Sequence, residues 1–88
     1  IGVPVPTQMA GGLDSLLSMV QMPSGIPVAV VSTGKAGPKN AALLAVSVIG
    51  VKDTALRRKL ERARAAMRKR ALQDDSEIRK SLGKLTEV

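Results

Sequence analysis

The apolar residues between Gly11 and Ser32 predict a helix, a bend and a strand. One helical face is marked at the spacing i, i+3, i+4, i+7 by Leu13, Leu16, Leu17 and Val20. Asp14 or Ser15 stands where an N-cap would accept the first free amide protons. We therefore expect a helix that begins beside these two polar residues.

Prolines set the bend and the strand that follow this helix. Pro23 should stop it, so that residues 21–25 form a short connection. Pro27 then opens the apolar run Val28 to Val31, which is typical of a parallel strand covered on both faces. The run Ile1 to Val5 is apolar as well, and we expect it to be a strand end that leads into a loop.

The second half of the chain predicts two helices. The first runs from about Lys39 to Ile49, is apolar on nearly every side, and should end at Gly50 as its C-cap. Asp53 and Thr54 should cap the second. Its apolar stripe, at i, i+4, i+7, i+11 and i+15, consists of Leu56, Leu60, Ala63, Met67 and Ala71.

Periodicity is lost after Leu72. Residues 73–77 are a polar break, and residues 78–88 suit either a short frayed helix or a disordered tail. The chain thus divides into an α/β segment at 1–51, a basic amphipathic helix at 52–72 and a polar tail at 73–88.

Composition restricts the chemistry that the chain can perform. Its 88 residues suffice for one small domain with a thin core, which would be aliphatic because Phe, Tyr and Trp are absent. Without cysteine there is no disulfide framework or thiolate site, and without histidine the usual metal ligand and proton shuttle is missing. The longest apolar stretch, 41–51, is far shorter than the ~20 residues that span a bilayer.

The positive charge is concentrated in one helix. Between Lys52 and Arg70 there are nine Lys or Arg residues, opposed only by Asp53 and Glu61, and this stretch carries the entire net charge of +7. The basic side of such a helix can simply face solvent, can bind an acidic partner or a neighbouring subunit, or can bind nucleic acid or a membrane. The lack of aromatic residues argues against the last two, so a solvated face is favoured.

A glycine-bearing loop, Thr33 to Gly37, joins the predicted strand to the next helix. Strand-to-helix loops of this kind can cradle an anion at the helix N-terminus. The pattern Gly-x-x-Gly is neither the dinucleotide fingerprint nor a Walker loop, so a plain turn with a helix entry is favoured over an anion site.

Two candidate strands do not make a stable sheet. The chain is therefore expected to belong to something larger, either a domain whose other half is missing here or an obligate assembly. It also begins at Ile1 rather than at Met, which suggests residues upstream.

Three blocks carry a resemblance to a known family: Ile1 to Val5, Gly11 to Ser32 and Gly34 to Ala45. In their order and spacing they resemble the C-terminal half of 5-(carboxyamino)imidazole ribonucleotide mutase. The similarity runs from about Ile1 to about Leu60 and is closer to the bacterial, plant and fungal class than to the animal carboxylase class.

The resemblance implies a fold and an activity. The fold would be α/β, the C-terminal part of a flavodoxin-like three-layer α/β/α sandwich with a parallel sheet, followed by a basic C-terminal helix. Family members move a carboxylate from the exocyclic nitrogen of an imidazole ribonucleotide to its ring carbon in purine synthesis, and they assemble as octamers. No cofactor or metal is implied.

The resemblance also implies a substrate contact at residues 21–23. In the family this loop lines the nucleotide pocket, which would give Met22 and Pro23 an apolar surface against the imidazole and Gln21 a polar contact. On the residues alone, the motif is a helix end followed by proline, with a methionine that fills a gap. The family's catalytic histidine lies in the N-terminal half, so no catalytic residue is assigned here and the chain alone is expected to be inactive.

The expected partners are a small-molecule nucleotide and further copies of the chain. Neither nucleic acid nor a membrane is expected as a partner. The expected location is the cytoplasm, with a plastid as the alternative. A different class of function stays open: a noncatalytic basic module that binds an anionic partner, nucleic acid or a membrane surface, through residues 52–70. A third hypothesis is a degenerate chain that never folds.

Overall fold

The chain is organised as three helices, in a computed structural model that describes residues 1–86. They are α1 (Leu13–Val20), α2 (Ala36–Ile49) and α3 (Thr54–Thr86). Within the described residues, β pairing is limited to one isolated parallel bridge between Gly2 and Val30. All three helices were expected from the sequence, although some of their ends differ from the prediction.

Neither predicted strand forms beyond this bridge. The amide of Gly2 donates to the carbonyl of Ala29 at 2.7 Å, and its carbonyl accepts from the amide of Val31 at 3.2 Å, which is the slanted pattern of a parallel pair. Pro4 and Pro6 have no amide to extend the ladder. The prediction that the strand is covered on both faces is also wrong for Val28, whose side chain is 36% exposed.

The start of α1 differs from the predicted cap. Gly12 occupies the N-cap with φ of 100°, no side chain caps the helix, and Asp14 and Ser15 lie inside its first turn. A Cβ at position 12 would lie 3.1 Å from the Cα of Pro6 and 3.2 Å from the carbonyl oxygen of Val5. Close approach of the chain and a left-handed backbone thus both require glycine there.

The second helix begins at Ala36, three residues before the predicted start. Pro38 is tolerated because amides in the first turn have no partner within the helix. Gly37 is buried, and a Cβ on it would lie 2.3 Å from the carbonyl oxygen of Ser32, so the turn into α2 depends on glycine.

The end of α2 is at Gly50, as predicted, but by a different geometry. Gly50 is right-handed, with φ of −65°, rather than the left-handed residue common at a C-cap. A Cβ on it would approach the carbonyl oxygen of Val46 to 3.0 Å. The tight approach is therefore to the last turn of α2 itself, because the nearest atom of α3, the Cα of Arg57, would lie at an ordinary contact distance of 3.5 Å.

The third helix begins as predicted and ends much later. The carboxylate of Asp53 accepts the amide of Leu56 at 3.0 Å, which confirms it as a cap. The predicted break at 73–77 is wrong, because α3 continues through it to Thr86. Arg79 and Asp75, paired at 3.0 Å one turn apart, support the helix at this point. Residues 87 and 88 of the predicted tail lie outside the described residues.

The core lies between α2 and α3 and is as thin as composition suggested. Leu60 is the one buried large apolar side chain among residues 1–86, at 5% exposure. Arg57 fastens the corner by donating to the carbonyls of Gly50 at 3.0 Å and Val51 at 2.9 Å. Every described residue after Leu60 is exposed, and beyond Arg64, which donates to the hydroxyl of Ser47, α3 projects away from the other two helices.

Candidate functional site

The bend after α1 contains the three residues that the sequence singled out. Gln21 is the C-cap of α1, and its amide donates to the carbonyl of Leu17 at 3.0 Å. A tight turn follows, in which the amide of Ile26 donates to the carbonyl of Pro23 at 3.1 Å. Gly25, with φ of 91°, supplies the left-handed residue of this turn.

An open pocket of about 460 Å³ lies against this bend. Its lining is apolar except for backbone groups and consists of Val20, Met22, Pro23, Gly25, Ile26, Pro27 and Val28. Met22, 40% exposed, and Pro23 thus lie where a flat apolar ring could rest on them. Gln21 is not part of the lining, so the structure brings together two of the three predicted site residues.

The loop before α1 is fastened by two polar contacts that sequence reasoning missed. The hydroxyl of Thr7 donates to the Oδ1 of Asp14, and the amide of Val5 donates to the Oγ of Ser15 at 3.1 Å. The Thr7 hydrogen bond lowers the pKa of Asp14, with smaller contributions from backbone amides. Neither spacing is a recognised motif, so the sequence carried no signal for this clamp.

The glycine-bearing loop before α2 has the geometry of a turn. Gly34 is left-handed, with φ of 99°, and the amide of Gly37 donates to its carbonyl at 3.2 Å. One of the amides that an anion would need is therefore already bonded. Of the two interpretations of Thr33 to Gly37, the turn is better supported.

A second open pocket, of about 300 Å³, lies at the α2–α3 corner. Its walls are formed by Ser47, Gly50, Val51, Arg57, Leu60 and Arg64. Both guanidinium groups already serve local acceptors: Arg57 bonds two carbonyls, and Arg64 donates to the hydroxyl of Ser47 at 3.2 Å. The polar groups of this pocket thus hold the corner together.

Residues 1–86 contain neither a cluster of metal-binding side chains nor a membrane-spanning helix. No group of three or more histidine, cysteine, aspartate or glutamate side chains lies close enough together to hold a metal ion. None of the helices in this part of the chain is long and apolar enough to cross a membrane.

Comparison with known proteins identifies the family. The family model described as AIR carboxylase matches residues 1–70, and the chain belongs to this family. Among curated relatives, N5-carboxyaminoimidazole ribonucleotide mutase of Bacillus subtilis is 46% identical over 78 residues, which are 89% of this chain and 48% of that protein. The protein of the same name from Mycobacterium tuberculosis is 48% identical over 86 residues, 98% of this chain and 48% of that protein.

An archaeal relative shows the same degree of similarity. The mutase of Saccharolobus solfataricus is 53% identical over 68 residues, which are 77% of this chain and 42% of that protein. The chain therefore spans about half the length of the curated relatives that it matches. The resemblance seen in the sequence is confirmed at the level of the family.

Proposed function

We propose that the chain contributes to an N5-carboxyaminoimidazole ribonucleotide mutase of purine biosynthesis. The reaction converts 5-(carboxyamino)imidazole ribonucleotide to 4-carboxy-5-aminoimidazole ribonucleotide, moving a carboxylate from the exocyclic nitrogen to the ring carbon. The observation that carries the proposal is 46–53% identity to proteins of that name across three quarters or more of the chain.

The pocket beside the bend after α1 is our candidate for the substrate contact of this chain. Met22 and Pro23 offer an apolar surface to the imidazole ring, and Val20 and Val28 extend it. Gln21, at the end of α1, would supply a polar contact at the edge of the pocket, which requires its side chain to turn toward the ligand.

Catalytic proton transfer is proposed to come from outside these 88 residues. The chain has no histidine, and the one carboxyl group among residues 1–86 with a clearly shifted pKa, Asp14, has a lowered pKa that suits it poorly as a general base near neutral pH. The 88-residue chain alone is therefore expected to bind weakly and not to turn over substrate.

The proposed context is a flavodoxin-like sandwich in a homo-oligomer, an octamer by resemblance. The parallel bridge between Gly2 and Val30 supports a parallel sheet, because two segments joined through a helix in this way form the start of a βαβ unit. Further strands beside this pair would give Val28 and its neighbours the cover that they lack here.

A chimera tests the proposal. This chain would replace the matching segment of the Bacillus subtilis mutase, and product formation would be followed by absorbance. Activity within about tenfold of the parent enzyme is expected, since 46% identity preserves most of the packing. A folded, correctly assembled chimera without activity would contradict the proposal.

Substitutions in the chimera test the pocket. Met22→Ala should raise KM, because it removes apolar contact area from the ring. Met9→Ala is the matched control, since Met9 is 66% exposed and lies outside the pocket lining. Equal effects of the two substitutions would remove residues 21–23 from the substrate site.

A further inference from the structure

The solvent-facing side of α3 carries a dense group of cations that the proposed enzymatic role leaves unused. We call it the outward basic face and define it as Arg58, Lys59, Arg62, Arg68, Lys69 and Arg70. At about 100° per residue, each of the six lies about 80° or more away from Leu60, which marks the side that packs on α2. All six are exposed, and together they cover about 200° of the helix circumference on the side opposite Leu60.

These cations are not neutralised by carboxylates of the described residues. The ion pairing found in residues 1–86 is limited to Arg79 with Asp75, beyond this face. Between Arg57 and Arg70 there are eight Lys or Arg residues and only Glu61 as an acid. Arg57 and Arg64, which turn toward α2, are occupied by hydrogen bonds there, and the six outward residues are available to an anionic partner.

The spacing of the outward basic face suits a polyphosphate backbone. From Arg58 to Arg70 the helix rises about 18 Å, at about 1.5 Å per residue. The six cations form two groups of three, residues 58–62 and 68–70, with about 9 Å of helix rise between the groups, so each group can meet a different stretch of the phosphate backbone. A helix about 10 Å in diameter that is free on this side also fits the roughly 12 Å major groove.

We propose that the outward basic face binds the phosphates of double-stranded nucleic acid without reading its sequence. The lack of aromatic side chains, which argued against nucleic acid, excludes stacking on single strands but not contact with phosphates. A membrane is disfavoured because Asp74 lies on the same helical face as Met67 and Ile78, where apolar residues would have to enter the lipid. This inference does not depend on the mutase activity.

Salt dependence of binding tests the proposal. The 88-residue chain would be titrated against a labelled DNA duplex of about 20 base pairs between about 25 and about 200 mM salt, with fluorescence anisotropy as the readout. Six phosphate contacts predict a slope of log K against log salt of about −5. No binding at the lowest salt concentration would overturn the proposal.

Two matched triple variants distinguish binding through the outward basic face from attraction by the net charge of the chain. Arg58→Gln, Arg62→Gln and Lys69→Gln together should reduce the magnitude of the slope by about 3. The control removes three cations from the far end of the same helix, through Arg79→Gln, Lys80→Gln and Lys84→Gln, and should leave the slope nearly unchanged. Equal losses from both triples would mean that charge alone attracts the duplex, and would overturn the proposed face.

Two further measurements make the result decisive. The charge-retaining variant with Arg58→Lys and Arg62→Lys should bind like the original chain, and circular dichroism would show that each variant keeps its helix. Vesicles with about three parts phosphatidylserine in ten serve as the competing surface. Tighter binding to these vesicles than to the duplex would replace nucleic acid with an anionic membrane as the partner.

Discussion

Thr7 and Asp14 show how one side-chain contact fastens the loop that precedes α1. The Thr7 hydroxyl stabilises the ionised carboxylate, so the folded chain holds the pKa of Asp14 below its value in the unfolded chain. A lowered folded-state pKa contributes stability above the unfolded pKa, and this contribution is lost as pH falls through the folded pKa. The clamp should therefore loosen in acid.

Thr7→Val should raise the pKa of Asp14 toward its ordinary value, because the hydrogen bond that lowers it most is removed. An NMR titration of the Asp14 carboxyl group would measure the change. Thr7→Ser keeps the hydroxyl and should retain the lowered pKa. If the Val and Ser variants titrate alike, Thr7 is not the cause.

Two glycines offer opposite outcomes for the same substitution. Gly37→Ala should destabilise the chain by more than about 1 kcal/mol, because its Cβ would fall 2.3 Å from the Ser32 carbonyl oxygen. Gly83→Ala, inside α3 and with open space around it, should stabilise the helix by about 0.5–1 kcal/mol. Urea denaturation of both variants checks the signs, and destabilisation of similar size in both would contradict this account.

At the level of elements, the helices could be predicted, whereas the two predicted strands meet only at the parallel bridge between Gly2 and Val30 in residues 1–86. The stripe from Leu13 to Val20 and the cap at Asp53 are local signals, and α1 and the start of α3 followed from them. A strand is defined by its neighbours, and Val28 to Val31 finds only Gly2 beside it in residues 1–86. The helical continuation through 73–77 was missed because Gln73 and Glu77 are good helix formers despite being polar, and because Asp75 pairs with Arg79.

The candidate site was predicted by resemblance rather than by pattern. Met22 and Pro23 could be proposed only because the surrounding blocks resembled a family, since a methionine before a proline at a helix end is ordinary. The structure adds the pocket beside them and leaves Gln21 out of its lining. Which way a glutamine side chain turns depends on a ligand and neighbours that the sequence does not encode locally.

The packing of α2 on α3 includes one buried large apolar side chain. Leu60→Ala should lower the free energy of unfolding by about 2 kcal/mol or more, because Leu60 is only 5% exposed and its removal leaves a cavity between the two helices. Leu85→Ala is the control, since Leu85 is 71% exposed and should change stability by less than about 0.5 kcal/mol. Equal effects in urea denaturation followed by circular dichroism would refute the role of Leu60.

The whole molecule is more extended than a domain of its size. Its radius of gyration is 18.7 Å, whereas a compact chain of this length has about 12 Å. Its accessible surface is 7228 Å², against about 4900 Å² for a folded monomer of 9.2 kDa. The excess is comparable to the area that one subunit buries in a large permanent interface.

The chain should therefore self-associate, and self-association should increase its stability. The chain is expected to sediment as larger species at higher concentration, and its Tm should rise with concentration because association stabilises the folded state by mass action. Sedimentation velocity and thermal melts over about a hundredfold range of concentration would measure both. A monomer with a constant Tm throughout would show that the exposed apolar surface stays uncovered.

The projecting part of α3 also acts as a lever. From Arg64 to Thr86 the helix extends about 33 Å beyond its last hydrogen bond to α2, so a tilt of about 10° at the corner moves its tip by about 6 Å. Arg57, through its bonds to Gly50 and Val51, sets the angle at the fulcrum. A substitution of Arg57 would therefore displace the far end of the helix, although no atom there has been replaced.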